Sequence, residues 1–311
     1  MATQPSLAAS RDMVWLEGGR FTMGSNRHYP EERPERAVQV DGFWIDRTPV
    51  TNAQFADFVT ATGYRTLAER AAEADDYPGA LPEMLVPASL VFEKSTQPVD
   101  PRGPATQWWT FVAGADWRHP YGPDSSLDGL LDHPVVHVAL ADVEAYLTWA
   151  DASLPTEAEW EFAARGGLEG AEFAWGDTFV PEGVHQANVW QGLFPYANTR
   201  DDGWVRTSPV GTYPANGYGL HDMIGNVWEW TTDWWSLATG PSRTCCSVAR
   251  KHSVDPSDPA AIPRRVLKGG SHLCAPSYCR RYRPAARHAH PIDTSTSHVG
   301  FRCVIRPAPQ A

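Results

Sequence analysis

Cys274 and Cys279 stand five residues apart in KGGSHLCAPSYCRRYRPAAR, the stretch from Lys268 to Arg287. In a helix that spacing would point the two thiols about 140° apart. Pro276 between them favours a loop instead, and a loop can bring both sulfurs to one point. Lys268, His272, Arg280, Arg281, Arg283 and Arg287 flank the pair. A positive neighbourhood lowers a thiol's pKa and favours the thiolate, the form that reacts and binds metal. Two thiolates with no hard ligand beside them suit a soft ion, and Cu(I) is the natural choice on softness. A rival is a structural zinc ion on Cys245, Cys246, Cys274 and Cys279. Adjacent cysteines are awkward donors to one tetrahedral ion, because zinc ligand pairs usually stand about two to four residues apart. An inert pair of thiols is the third reading, and residue chemistry alone leaves the three open.

The elements that must position this stretch are short. VWLEGGRFTMG reads as two strands about the Gly18–Gly19 turn, with a third strand in AVQVDGFWI. Thr51 and Gln54 form a capping-box pattern ahead of Phe55, Phe58 and Val59, so NAQFADFVTATG is expected to be a helix ending near Gly63. From Arg65 to about Pro134 the chain has little periodicity, and a long irregular segment is expected there. VVHVA reads as a strand, and ALADVEAYLTWADA as a helix with Val143, Tyr146, Leu147 and Ala150 inward. In LPTEAEWEFAARGG, Thr156 caps, Glu159 answers it, and Gly166 supplies the left-handed stop. Short pieces separated by turns follow. These features predict one α+β domain of low regular secondary-structure content over 11–311, after a disordered tail at 1–10.

Composition narrows the function. With 25 Gly, 27 Pro and 14 Trp in 311 residues, the chain reads as globular, rich in turns, and packed on indoles. A formal charge of −11 argues against a nucleic-acid binder, which would present a basic surface. No stretch approaches the ~20 apolar residues of a membrane span, and the N-terminus lacks a signal-peptide pattern. A cytoplasmic protein without a membrane partner is expected. Five clustered cysteines, an odd number, point to a site rather than a disulfide framework.

GGSHLCAPSYCRRYRPAAR followed by DTSTSHVGFRCV resembles the C-terminal signature of formylglycine-generating enzymes, the sulfatase-modifying factor family. The resemblance runs through MVWLEGGRFTMGS, HPVVHV, LPTEAEWEFAARGG, ANVWQGLFP and NGYGLHDMIGNVWEWTTDWW, and is weakest between Arg65 and Thr106. It implies that family's C-type-lectin-like fold. It also implies an oxidoreductase that uses O2 to convert one cysteine of a type I sulfatase, in Cys-x-Pro-x-Arg, to formylglycine. The substrate would be an unfolded or nascent sulfatase polypeptide. Position by position, Cys274 and Cys279 fall on the copper thiolates, and Ser271 on the hydroxyl that supports oxygen chemistry. Trp228, Tyr278, Arg287 and His298 fall where the family lines its catalytic pocket.

The same resemblance implies two structural calcium sites. One takes oxygens from Asn188 and Asp202 with the carbonyls of Val189 and Trp204. The other takes Asp222 and Glu229 with the carbonyls of Gly225 and Val227. Calcium wants several oxygens from a loop, carboxylates mixed with carbonyls, and these segments offer that. Secretory members carry disulfides, but Leu147, Ala164 and Pro284 occupy three of those four cysteine positions here, which leaves Cys303 unpaired. Cys245 and Cys246 lie in the insertion SLATGPSRTCCSVARKHSVDPSDPAAIP, outside the resemblance. A non-catalytic display scaffold of the same fold would lack the cysteine pair. An iron sulfoxide synthase would need a further helical domain.

Overall fold

The computed structural model describes residues 11–237 and 250–308. The expected tail at 1–10 and Cys245 and Cys246 lie outside the described residues. Among the described residues, two small sheets and two hairpins are set around three short helices. β1 (Met13–Leu16), β4 (Phe43–Asp46) and β11 (Val304–Ile305) form one sheet in the order β1-β4-β11, so β4 pairs on one side with an early segment and on the other with a late one. β2 (Gly19–Met23) pairs with β3 (Arg36–Val40) as a hairpin. The second sheet runs β10 (Val299–Gly300), β7 (Trp228–Trp234), β8 (Arg264–Lys268), β9 (Arg287–Pro291).

The helices follow their sequence signals. In α1 (Asn52–Thr62), Thr51 and Gln54 close the capping box and Gly63 ends the helix at φ 67°. α2 (Leu140–Trp149) buries Val143, Tyr146 and Leu147. α3 (Glu157–Arg165) is capped by Thr156 and Glu159 and stopped by Gly166 at φ 57°. Apolar side chains of α1 and α2 join those of β4 and β7 in one core that holds Phe43, Phe55, Phe58, Tyr146, Trp160 and Trp230.

Three expectations need correction. The segment after Arg65 is not wholly irregular, because β5 (Ala88–Phe92) and β6 (Trp109–Ala113) form a hairpin there. VVHVA is not a strand. His137 sits at φ 60°, and its ring bonds Ser89 Oγ at 2.7 Å and Pro120 O at 2.9 Å. Those ring contacts and the left-handed backbone replace a ladder. AVQVDGFWI is two strands rather than one, β3 and β4, which pair with different partners.

Candidate active site

β8 delivers the chain to Gly269 and Gly270, which lie at φ 97° and 74°. A Cβ at Gly270 would stand 3.0 Å from Arg281 O and from the Tyr282 backbone, so glycine lets the two arms of the loop close on each other. Between the arms, the Cys274 amide donates to Ser271 O at 2.9 Å and the Cys279 amide donates to Ala275 O at 2.9 Å. These two turns bring the sulfurs to 3.3 Å. That is well beyond the ~2.05 Å of a disulfide, and both thiols are free and buried. The loop around Pro276 therefore does what the sequence required of it.

Both cysteines belong to the main core with Trp228, while Leu273 and Ala275, on either side of Cys274, belong to an aromatic cluster with Phe92, Trp108, Trp190 and Phe194. Tyr278 lies at the exposed edge of this aromatic cluster. Its ring stacks on Phe194 with centroids 4.3 Å apart, and the residue is 41% exposed. Trp228 is buried, stacks on His288, and donates its amide to His298 O at 2.9 Å. The His298 ring lies 4.7 Å from Trp109 and bonds Thr296 Oγ1 at 2.7 Å. Burial holds His298 well below its ordinary pKa, so it is neutral. Ser271 is fully buried, and its Oγ accepts from the Leu273 amide at 3.2 Å, which leaves its proton to donate.

The positive neighbourhood is more selective than the sequence suggested. Lys268 reaches Glu161 at 3.0 Å, Arg283 is paired with Glu32 at 2.5 Å, and Arg280 reaches Glu172 at 3.0 Å. Arg287, expected to line the pocket, bonds Glu157 at 2.8 Å and Ser236 O at 2.9 Å, so its guanidinium serves a buried ion pair. Burial lowers His272 to about 4. Arg281 alone of the six donates to a site sulfur, from Nη1 to Cys279 Sγ at 3.8 Å. The thiols respond unequally. The hydrogen bond from Cys274, with Arg281 behind it, holds Cys279 below the usual thiol value, whereas burial pushes Cys274 up. Tyr29, Glu31 and Glu32 anchor this arm, and none of them was expected to take part. The acidic pair, set far ahead of an arginine cluster, was the available signal.

Among the described residues no three His, Cys, Asp or Glu side chains converge as a metal cluster. The expected calcium sites thus depend on backbone carbonyls. Among the described residues two buried carboxylate oxygens have no partner, Asp202 Oδ2 and Asp222 Oδ1, and they fall one at each expected site. Orphaned buried acceptors are rare and call for a cation or water. Burial pushes the Asp222 carboxyl up to about 6, so its ionised form would gain from a cation alongside. Asp222 also lines a cavity of about 30 Å³. Glu229 is heavily engaged, with Arg302 bonding both oxygens at 2.7 Å and the Trp160 indole bonding Oε2 at 2.7 Å. Of its roughly four lone pairs, one on Oε1 remains. At the first site the Asn188 amide donates to Arg206 O, the Val189 carbonyl meets the Gln191 amide, and the Trp204 amide donates to Asp202 Oδ1. The Val227 carbonyl lies on the turn between Gly225 and β7.

Residues 1–307 match the family model for the sulfatase-modifying factor enzyme 1-like domain. The chain belongs to the formylglycine-generating enzyme family. A formylglycine-generating enzyme of Mycobacterium tuberculosis is 53% identical over 95% of this chain and 98% of its own length. One from Streptomyces coelicolor is 45% identical over 97% and 93%. A mouse relative, 38% identical over 94% and 84%, bears the name inactive C-alpha-formylglycine-generating enzyme 2. Among solved structures, PvdO from Pseudomonas aeruginosa superposes with a TM-score of 0.64, covering 94% of this chain and 93% of that one, at 23% identity. That likeness speaks for the α+β, C-type-lectin-like fold alone. Since the family includes a member named inactive, membership does not by itself assign the chemistry.

Proposed function

We propose that this chain is a copper-dependent oxidase that converts the cysteine of Cys-x-Pro-x-Arg in a type I sulfatase polypeptide to formylglycine, with O2 as acceptor. The noncovalent pair of buried sulfurs 3.3 Å apart carries this reading. The donor set fits Cu(I): two soft thiols with, among the described residues, no carboxylate or imidazole cluster around them. Cys274 and Cys279 would hold the ion, and copper, when bound, supplies the redox couple that lets a thiol react with O2. In the overall change the substrate Cβ gives up two electrons, its sulfur leaves as hydrogen sulfide, and an oxygen takes its place. O2 takes those two electrons and two more from a thiol reductant, and its other oxygen leaves as water.

The chain's own groups would frame that change. The Ser271 hydroxyl holds a proton ready for an oxygen that gains charge. Trp228 and neutral His298 wall the pocket with groups that bring no competing charge. Tyr278, held flat against the buried Phe194, would offer an exposed aromatic face to an extended peptide. We also assign calcium to the Asn188–Asp202 and Asp222–Glu229 loops as a structural ion. The unpaired, buried Cys303 supports a reducing, cytoplasmic setting.

Metal analysis of the reduced protein tests the copper assignment. One Cu(I) per chain should bind, and Cys274→Ser and Cys279→Ser should each abolish binding with folding intact. One zinc per chain with copper excluded would overturn the assignment.

A further inference from the structure

Two thiolates and one Cu(I) leave a net negative charge, and both cysteines are buried where water cannot screen it. Such a charge needs a cation close by. The segment offers six positively charged or titratable side chains, and five are committed elsewhere. Glu161 and Glu157 hold Lys268, Glu172 holds Arg280, Glu32 holds Arg283, Glu157 holds Arg287, and His272 is buried and bonded to Asn226 O.

Arg281 differs. Its Nη1 donates to Cys279 Sγ at 3.8 Å while Nη2 bonds Glu31 at 2.6 Å. The guanidinium plane lies 4.0 Å over the Tyr29 ring. Tyr29 in turn accepts the Arg280 amide at 3.0 Å through its hydroxyl, and Arg287 Nη1 donates to Glu31 O at 3.3 Å. The turn of Tyr29 to Glu32 is thus bound at several points to the arm that follows Cys279, and it fixes one guanidinium against one sulfur.

We propose that Arg281 is a positioning residue for the cysteine pair, a clamp held by Tyr29 and Glu31 that neutralises the charge of the two-thiolate copper site. The inference rests on the copper reading above. A group that orients a metal's ligands typically contributes about 10–100-fold to metal affinity. The full chain would be titrated with Cu(I) without oxygen, against a chromophoric Cu(I) chelator, as wild type, Arg281→Gln and Arg281→Lys. Thermal melting of each metal-free form would be recorded alongside. Arg281→Gln should weaken Cu(I) binding by about 10–100-fold, and Arg281→Lys, which keeps the charge, should recover most of that loss. Arg281→Met keeps the stem packed on Tyr29 without the charge; it should behave as Gln does, and it decides the matter if Gln does not fold. Wild-type affinity in a folded, uncharged variant would overturn the clamp while leaving the copper site standing. Equal losses in Lys and Gln, tracking a lower melting temperature, would overturn it in favour of a packing role. A wild-type chain that binds no Cu(I) would remove the copper reading and this inference together.

Discussion

At the scale of the residue, Ser271 separates a turn from a catalyst. Its hydroxyl already closes a turn by accepting from the Leu273 amide, so packing alone would explain its presence. The proton it keeps is what a developing oxyanion would use. Ser271→Ala should therefore retain Cu(I) and peptide affinity while single-turnover rate falls by about 10²–10³, the cost of losing one preorganised donor. A normal rate would leave Ser271 as a turn residue, and lost copper would make it a shaper of the loop. The approach of Cys274 to Cys279 was legible because one local loop with Pro276 in it joins them. The ion pair of Arg287 was not, because its acidic partner Glu157 lies 130 residues away and nothing local announces it. Arg281 could be told from its basic neighbours only by the partners the fold gave each of them.

At the scale of the element, capping patterns were the dependable signals. Thr51 with Gln54 and Thr156 with Glu159 gave both helix starts, because caps are local chemistry. VVHVA failed because three remote contacts decide it: His137 bonds Ser89, Pro120 and, through its amide, Thr296 O. The loops from Asn188 to Trp204 and from Asp222 to Val227 contain no helix or strand, are joined by the Asn226 amide donating to Asn188 O, and each carries an orphaned carboxylate oxygen. A cation there would join segments that no strand joins. Calcium should raise the melting temperature by binding the native state alone, and Asp222→Ala should abolish much of that rise. The absence of any shift between calcium and EDTA would count against both sites.

At the scale of the whole molecule, the buried histidines set the response to acid. Burial lowers His137, His272 and His290 to about 4, and it lowers the part-exposed His288 and His298 as well. Each stays neutral in the fold but takes a proton in the unfolded chain below about 6.5. The unfolded state then binds more protons, so stability is full above pH ~6.5 and is lost as pH falls towards ~4. Asp142 and Asp222, pushed up to about 6 by burial, and Asp233, also raised by burial, act in the opposite sense over the same range, but they are outnumbered by these histidines. The melting temperature should thus drop between about pH 7 and pH 5, as read by calorimetry. An unchanged value would mean that the histidines are less buried than the fold places them.

Two sulfurs on one loop are what would make this chain an oxidase of peptidyl cysteine. A Cys-x-Pro-x-Arg peptide incubated with the copper-loaded protein, O2 and a thiol reductant tests that claim by mass spectrometry. The expected product has lost SH and one hydrogen, gained one oxygen, and reacts with an aminooxy probe as an aldehyde does. Cys274→Ser and Cys279→Ser should yield none. Unmodified peptide from folded, copper-loaded protein would contradict the claim, as would full conversion by either serine variant.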